Sequence, residues 1–122
     1  MGSLELADAR AAVFPLKEPE GYQEPNLRAV ALAQENPGRL VAFVRIDPSD
    51  RPLALVREAL AAGARGLKLH PDGEQFDIAD PRLDEVYGVA HEESLPIIIH
   101  ARPEIEGVGR TSGRSASRRG WR

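Results

Sequence analysis

The 122-residue sequence contains no cysteine. Disulfides, thiolate metal sites and cysteine nucleophiles are therefore excluded, and any metal chemistry is confined to histidine and carboxylate ligands. Long apolar runs are missing as well. None exceeds five residues, Leu40 to Val44 being one of that length, so neither a membrane span nor a secretory core is expected, and a cytoplasmic location is. No Gly-x-Gly-x-x-Gly, Walker loop or Gly-x-Ser-x-Gly elbow occurs. The glycines of Ala62-Gly63-Ala64-Arg65-Gly66 precede an apolar run instead of opening a helix, which suits a helix stop and tight turn better than a phosphate loop.

Acid is missing from one end of the chain. Residues 109–122 hold five arginines, no aspartate or glutamate, and no leucine, isoleucine or phenylalanine. Without a helical or strand period this segment has no core face to bury, and a disordered basic tail is expected. Its arginines and Trp121 suit nucleic-acid contact in principle. Residues 1–108, however, carry 19 acidic against 11 basic side chains, a formal charge of −8 that opposes such a partner, so no nucleic-acid binding is expected. At 42% hydrophobic and 29% charged overall, the chain has the composition of a globular domain, which the pattern assigns to residues 1–108.

Within that domain short apolar runs alternate with helical patterns. Ala11–Phe14, Leu40–Val44, Gly66–Leu69 and Pro96–Ile99 read as strands, the second and fourth as continuous runs of the kind buried on both faces of a parallel sheet. Between them, Leu27, Val30 and Ala31 mark a first helix, Leu53, Val56, Ala59 and Leu60 a second, and Leu83, Val86 and Ala90 a third. Asn26 is a candidate cap for the first, Ser49 or Asp50 for the second with Gly63 closing it, and Asp80-Pro81 opens the third. Strand ends near Phe14, Val44, Leu69 and Ile99 recur every 25 to 30 residues, one strand-turn-helix unit each. Four such parallel strands in sequential order make a half barrel of the (β/α) type. A doubly wound sheet is the alternative if strand order reverses.

Both architectures gather function at the carboxyl ends of the strands. There stand Lys17, then Arg45, then Lys68-Leu69-His70, then His100. Residues two apart in a strand share a face, so Lys68 and His70 point together and Leu67 and Leu69 point oppositely. His100, held directly after Ile97-Ile98-Ile99, is placed as a metal ligand or general base would be, or as a core-edge histidine bonded to a loop. His91 lies off the third helix's apolar stripe and is expected at the surface. Loop acids Glu18, Glu20, Asp47 and Asp72 are available for acid-base work, while Asp72-Gly73 reads as a turn.

The ordered series Gly63-Ala64-Arg65-Gly66-Leu67-Lys68-Leu69-His70-Pro71, Asp80-Pro81-Arg82-Leu83 and Leu95-Pro96-Ile97-Ile98-Ile99-His100-Ala101, preceded by Pro37 to Pro48, resembles the middle of the amidohydrolase-related metal-dependent hydrolases and decarboxylases. The resemblance covers residues 10 to 108. It implies a TIM-type barrel of strands two to five of eight, with His100 at the position of the histidine that ends the fifth strand and binds a divalent metal, zinc before manganese or iron. It also implies a small carboxylate or amide substrate, with His70 and Lys68 lining the site.

The sequence departs from that family in having no His-x-His pair and no strand after Ile99, where the family places further ligands and a water-activating aspartate. The expectation is a fragment or truncated member whose ancestral activity is metal-dependent hydrolysis or decarboxylation, inactive alone. The alternative is a small α/β protein, dimerised through its open sheet edges, that holds an anion with Lys17, Arg45, Lys68, His70 and His100 and performs no catalysis.

Overall fold

The computed structural model describes residues 1–6 and 10–100. The expected tail over 109–122 lies outside them. Strands β1 (Gly2–Glu5), β2 (Ala11–Phe14), β3 (Leu40–Arg45), β4 (Gly66–Leu69) and β5 (Ile97–Ile99) form one sheet in the order β1-β2-β3-β4-β5. Every pairing from β2 onward is parallel, and β1 adds an antiparallel edge. The order never reverses, so the chain follows the barrel alternative. It is a curled half barrel of mixed α/β class with the four expected parallel strands and one that was not expected.

The helices are α1 (Gln23–Gln34), α2 (Pro52–Ala62), a single turn α3 (Pro71–Glu74), and α4 (Asp84–Glu92), which continues from a 3-10 turn over Pro81–Leu83. Helix α1 starts before Asn26 because Pro25 falls in its first turn, where the missing N–H is one of the donors no helix satisfies. Asn26 is thus inside the helix and does not cap it. Neither Ser49 nor Asp50 caps α2. The Asp47 carboxylate accepts from the Ser49 amide and hydroxyl at 2.9 and 2.8 Å, and the cap position falls to Arg51 in a left-handed conformation. Gly63 does close α2, at a φ of +133° that favours glycine. Asp80 does cap the third pattern, accepting from the Arg82 amide at 2.9 Å.

Alternation along the strands builds two cores. Val13, Ala42, Val44, Leu67 and Leu69 point outward to meet Leu55, Val56 and Ala59 of α2, Ala29 and Val30 of α1, and Leu83, Val86 and Ala90. Ala31 is exposed, unlike the rest of its expected stripe, because α1 presents Pro25, Asn26, Ala29 and Val30 to the sheet. On the concave face Ala12, Phe14 and Phe43 form a second cluster with Leu6, Val41 and Ile98 packed beside it. Phe43 needs a glycine partner there: a Cβ on Gly66, its register neighbour, would lie 2.4 Å from the ring. Strand β5 departs from the doubly buried expectation, with Ile97 and Ile99 more than one-third exposed.

Candidate functional site

The site begins with a peptide group. Arg45 ends β3, and the Asn26 side chain meets its backbone twice, accepting from the Arg45 N–H at 2.9 Å and donating to the Arg45 carbonyl at 3.0 Å. An amide from α1 thereby does for the end of β3 what a neighbouring strand would do. Both residues are buried, at 3% exposure.

The guanidinium so positioned is fully engaged. Arg45 Nε and Nη2 donate to the two carboxylate oxygens of Glu74 at 3.2 and 3.0 Å, and Nη1 donates to the Pro15 carbonyl at 3.3 Å. A bidentate contact of this shape is the strongest form of the ion pair, and both side chains are 3% exposed. Tyr22 donates its hydroxyl to the same carboxylate at 2.6 Å while its ring lies 5.2 Å from the guanidinium carbon. Burial and then the bond to Glu74 raise the Tyr22 phenol well above its ordinary value, so it stays a donor. Lys17, more than half exposed, reaches the cluster from outside, 4.0 Å from the Glu74 carboxylate and bonded to the Gly73 carbonyl.

Lys68 lies next to Arg45 in register, on the concave face. Its ammonium stands 4.4 Å from the centre of the Phe14 ring, which supplies a cation–π contact. Among the described residues no carboxylate is within ion-pair reach of it. Burial and then the nearby Arg45 charge lower its pKa from the ordinary lysine value. At 5% exposure and with no counter-ion among the described residues, this ammonium is poorly compensated.

Beyond the strand ends, His70 and His100 stack with ring centres 4.0 Å apart and planes 13° from parallel. The His100 amide donates to the Leu69 carbonyl at 2.9 Å, extending the β4–β5 ladder into the pair. His70 Nδ1 accepts from the Gly73 amide at 2.9 Å and so caps α3. Burial, then the neighbouring His100, Arg45 and Lys68 charges outweighing Glu74, lower the His70 pKa from its ordinary value. In the neutral ring that accepts at Nδ1 the proton resides on Nε2, which leaves no lone pair for a metal. Among the described residues no group of three histidine, aspartate or glutamate side chains could hold a metal ion, so those residues by themselves do not supply the three ligands of a catalytic zinc.

The five expected residues therefore fall into two groups. Lys17 and Arg45 converge on Glu74, while among the described residues Lys68, His70 and His100 form no ion pair with an acid. Of the loop acids expected, Asp47 serves its own turn, Glu20 and Asp72 are exposed, and Glu18 contributes its backbone amide to Tyr22 at 3.3 Å. Glu74, Tyr22 and Asn26 are site residues the sequence pattern missed. His91 is exposed, as expected.

No curated protein and no solved structure gives a significant match to this chain. A family model described as amidohydrolase matches residues 3–112, which spans the half barrel and every residue of the site. With nearly the whole chain inside that match, and with the strand order and strand-end site laid out as above, the chain belongs to the amidohydrolase family.

Proposed function

We propose that this chain is an amidohydrolase-type barrel segment that binds a small carboxylate-bearing molecule at its strand ends, and that by itself it does not turn that molecule over. The single observation that carries the reading is Lys68, a buried amine with no carboxylate partner among the described residues, beside Arg45 in register and two positions before His70, which stacks on His100. An anion brought there supplies the missing counter-charge, and the apolar floor of Phe14 and Phe43 strengthens the attraction by keeping water away. The substrate class matches the ancestral reaction, metal-dependent hydrolysis or decarboxylation of a small carboxylate or amide. His100 is the one inherited ligand position for zinc, manganese or iron.

Calorimetric titration of the chelator-treated protein with malonate tests this. Saturable binding that is lost in Lys68→Met is expected, with no hydrolysis of carboxylate amides above the uncatalysed rate. Absence of binding, or turnover that appears with added zinc, overturns the proposal.

The exposed Ile97 and Ile99 on edge strand β5 favour a companion reading in which two copies pair through their open edges. Sedimentation analysis decides it: a concentration-dependent dimer that Ile97→Lys dissociates is expected, and a monomer at all concentrations rules it out.

A further inference from the structure

The Arg45 cluster has the makings of a ligand site that already holds a ligand. A bidentate guanidinium, a phenol donor and a lysine ammonium all converge on one carboxylate, that of Glu74. The two halves of this contact are anchored very differently. Arg45 belongs to central strand β3, its peptide clamped by Asn26, and Tyr22 is buried to 2% exposure at the head of α1. Glu74 stands on the four-residue turn α3, far shorter than a helix stable by itself. That turn is followed by Gln75 at a φ of +57°, a conformation side chains disfavour. Bonds to the turn include the His70 cap, the Glu74 amide to the His70 carbonyl, the Phe76 amide to the Pro71 carbonyl, the Gln75 side chain to the Asp72 carbonyl, and an exposed bond from Lys17, and Phe76 just beyond packs on the core. A strand-borne guanidinium thus faces a carboxylate carried on a single short turn.

We propose that Arg45, Tyr22 and Lys17 form a carboxylate-binding subsite that Glu74 fills as an internal surrogate, and that a carboxylate-bearing small molecule exchanges with it. Exchange leaves Arg45 paired once the incoming carboxylate is seated, so the buried guanidinium is not left without a counter-charge. The proposal takes only its ligand class from the reading above. It predicts an effect of opposite sign, since loss of Lys68 weakens anion binding and loss of Glu74 strengthens it.

A tethered carboxylate competes at an effective concentration in the millimolar range, so removing it tightens apparent acetate binding by about tenfold or more. Acetate titrations of wild type and Glu74→Ala, followed by calorimetry, measure that change. The expected result is at least this gain in Glu74→Ala, abolished in Glu74→Ala/Arg45→Met. A folded Glu74→Ala that binds acetate no more tightly than wild type overturns the proposal. If Glu74→Ala does not fold, carboxyl-carbon NMR of the wild-type protein replaces it. Acetate must then move the Glu74 signal saturably toward that of a solvated carboxylate, and an unmoved signal overturns the proposal equally. Failure of the malonate titration with a positive Glu74 result leaves this subsite standing and removes only the Lys68 site.

Discussion

Replacing Asn26 separates two roles that its side chain cannot hold together. As a helix cap its loss to alanine would cost about 1 kcal/mol, and aspartate would serve as well as asparagine. In the structure it instead satisfies both polar groups of the Arg45 peptide, at 2.9 and 3.0 Å and 3% exposure. Asn26→Ala leaves a donor and an acceptor buried without partners. At about 1–3 kcal/mol for each group, with some relief from entering water, the loss is about 2–4 kcal/mol. That is a large share of the stability of a domain this small, about 5–15 kcal/mol. Asn26→Asp is the sharper variant. It keeps the acceptor for the Arg45 N–H, but sets a carboxylate oxygen against the Arg45 carbonyl, so it too destabilises strongly. Urea unfolding followed by far-ultraviolet circular dichroism measures both, and the midpoint should fall with little change in slope. A loss below about 1 kcal/mol for alanine together with a neutral aspartate would refute the clamp and restore the capping role.

Further predictions follow from the same geometry. Gly66→Ala pushes a methyl group into the buried Phe43 ring and costs about 1–3 kcal/mol in urea unfolding, as overpacking does. Gly88→Ala, in α4 with nothing near its Cβ, gains up to about 1 kcal/mol, and equal signs for the two would contradict the packing. Lys68→Met removes a desolvated charge while keeping most of the stem, so it stabilises the protein at neutral pH, and a destabilised variant would show that the ammonium has a partner. Because the folded Lys68 pKa lies below 10.5, the unfolded chain binds more protons in the window between the two values. Wild-type stability therefore carries a contribution that rises with pH through that window, and Lys68→Met lacks it; identical pH profiles for the two proteins would remove the argument.

The sequence was legible where side-chain pattern and chain geometry say the same thing. The run Leu40–Val44 is a strand whose last three residues are buried on both faces, Gly66–Leu69 is a buried strand as well, and the Leu83, Val86 and Ala90 stripe is buried along its helix. Strand β1 was invisible because Gly2-Ser3-Leu4-Glu5 is an exposed edge held by backbone pairing, which leaves no hydropathic trace. Asn26 was misread because a polar residue ahead of an apolar period looks like a cap until the peptide it clamps, 19 positions away, is known.

Strand-end placement put Arg45, Lys68, His70 and His100 at one end of the sheet, where the structure has them. It could not show that Glu74 neutralises one of them and none of the others. A signal did exist, since an arginine closing a buried strand is commonly paired with a carboxylate, and Glu74 lies just past the end of β4. Sequence alone could not choose Glu74 over Asp72, because the choice depends on how the α3 turn aims each side chain.

The most direct test of the central claim observes Lys68 itself. Nitrogen NMR of its ammonium group across pH, with and without malonate in chelator-treated protein, reports whether an anion settles against it. The account predicts a titration midpoint below the ordinary lysine value in the free protein, moving upward when malonate binds, because a neighbouring negative charge favours the charged amine. A midpoint that malonate leaves unmoved, or that moves only when stoichiometric metal is restored, would contradict it.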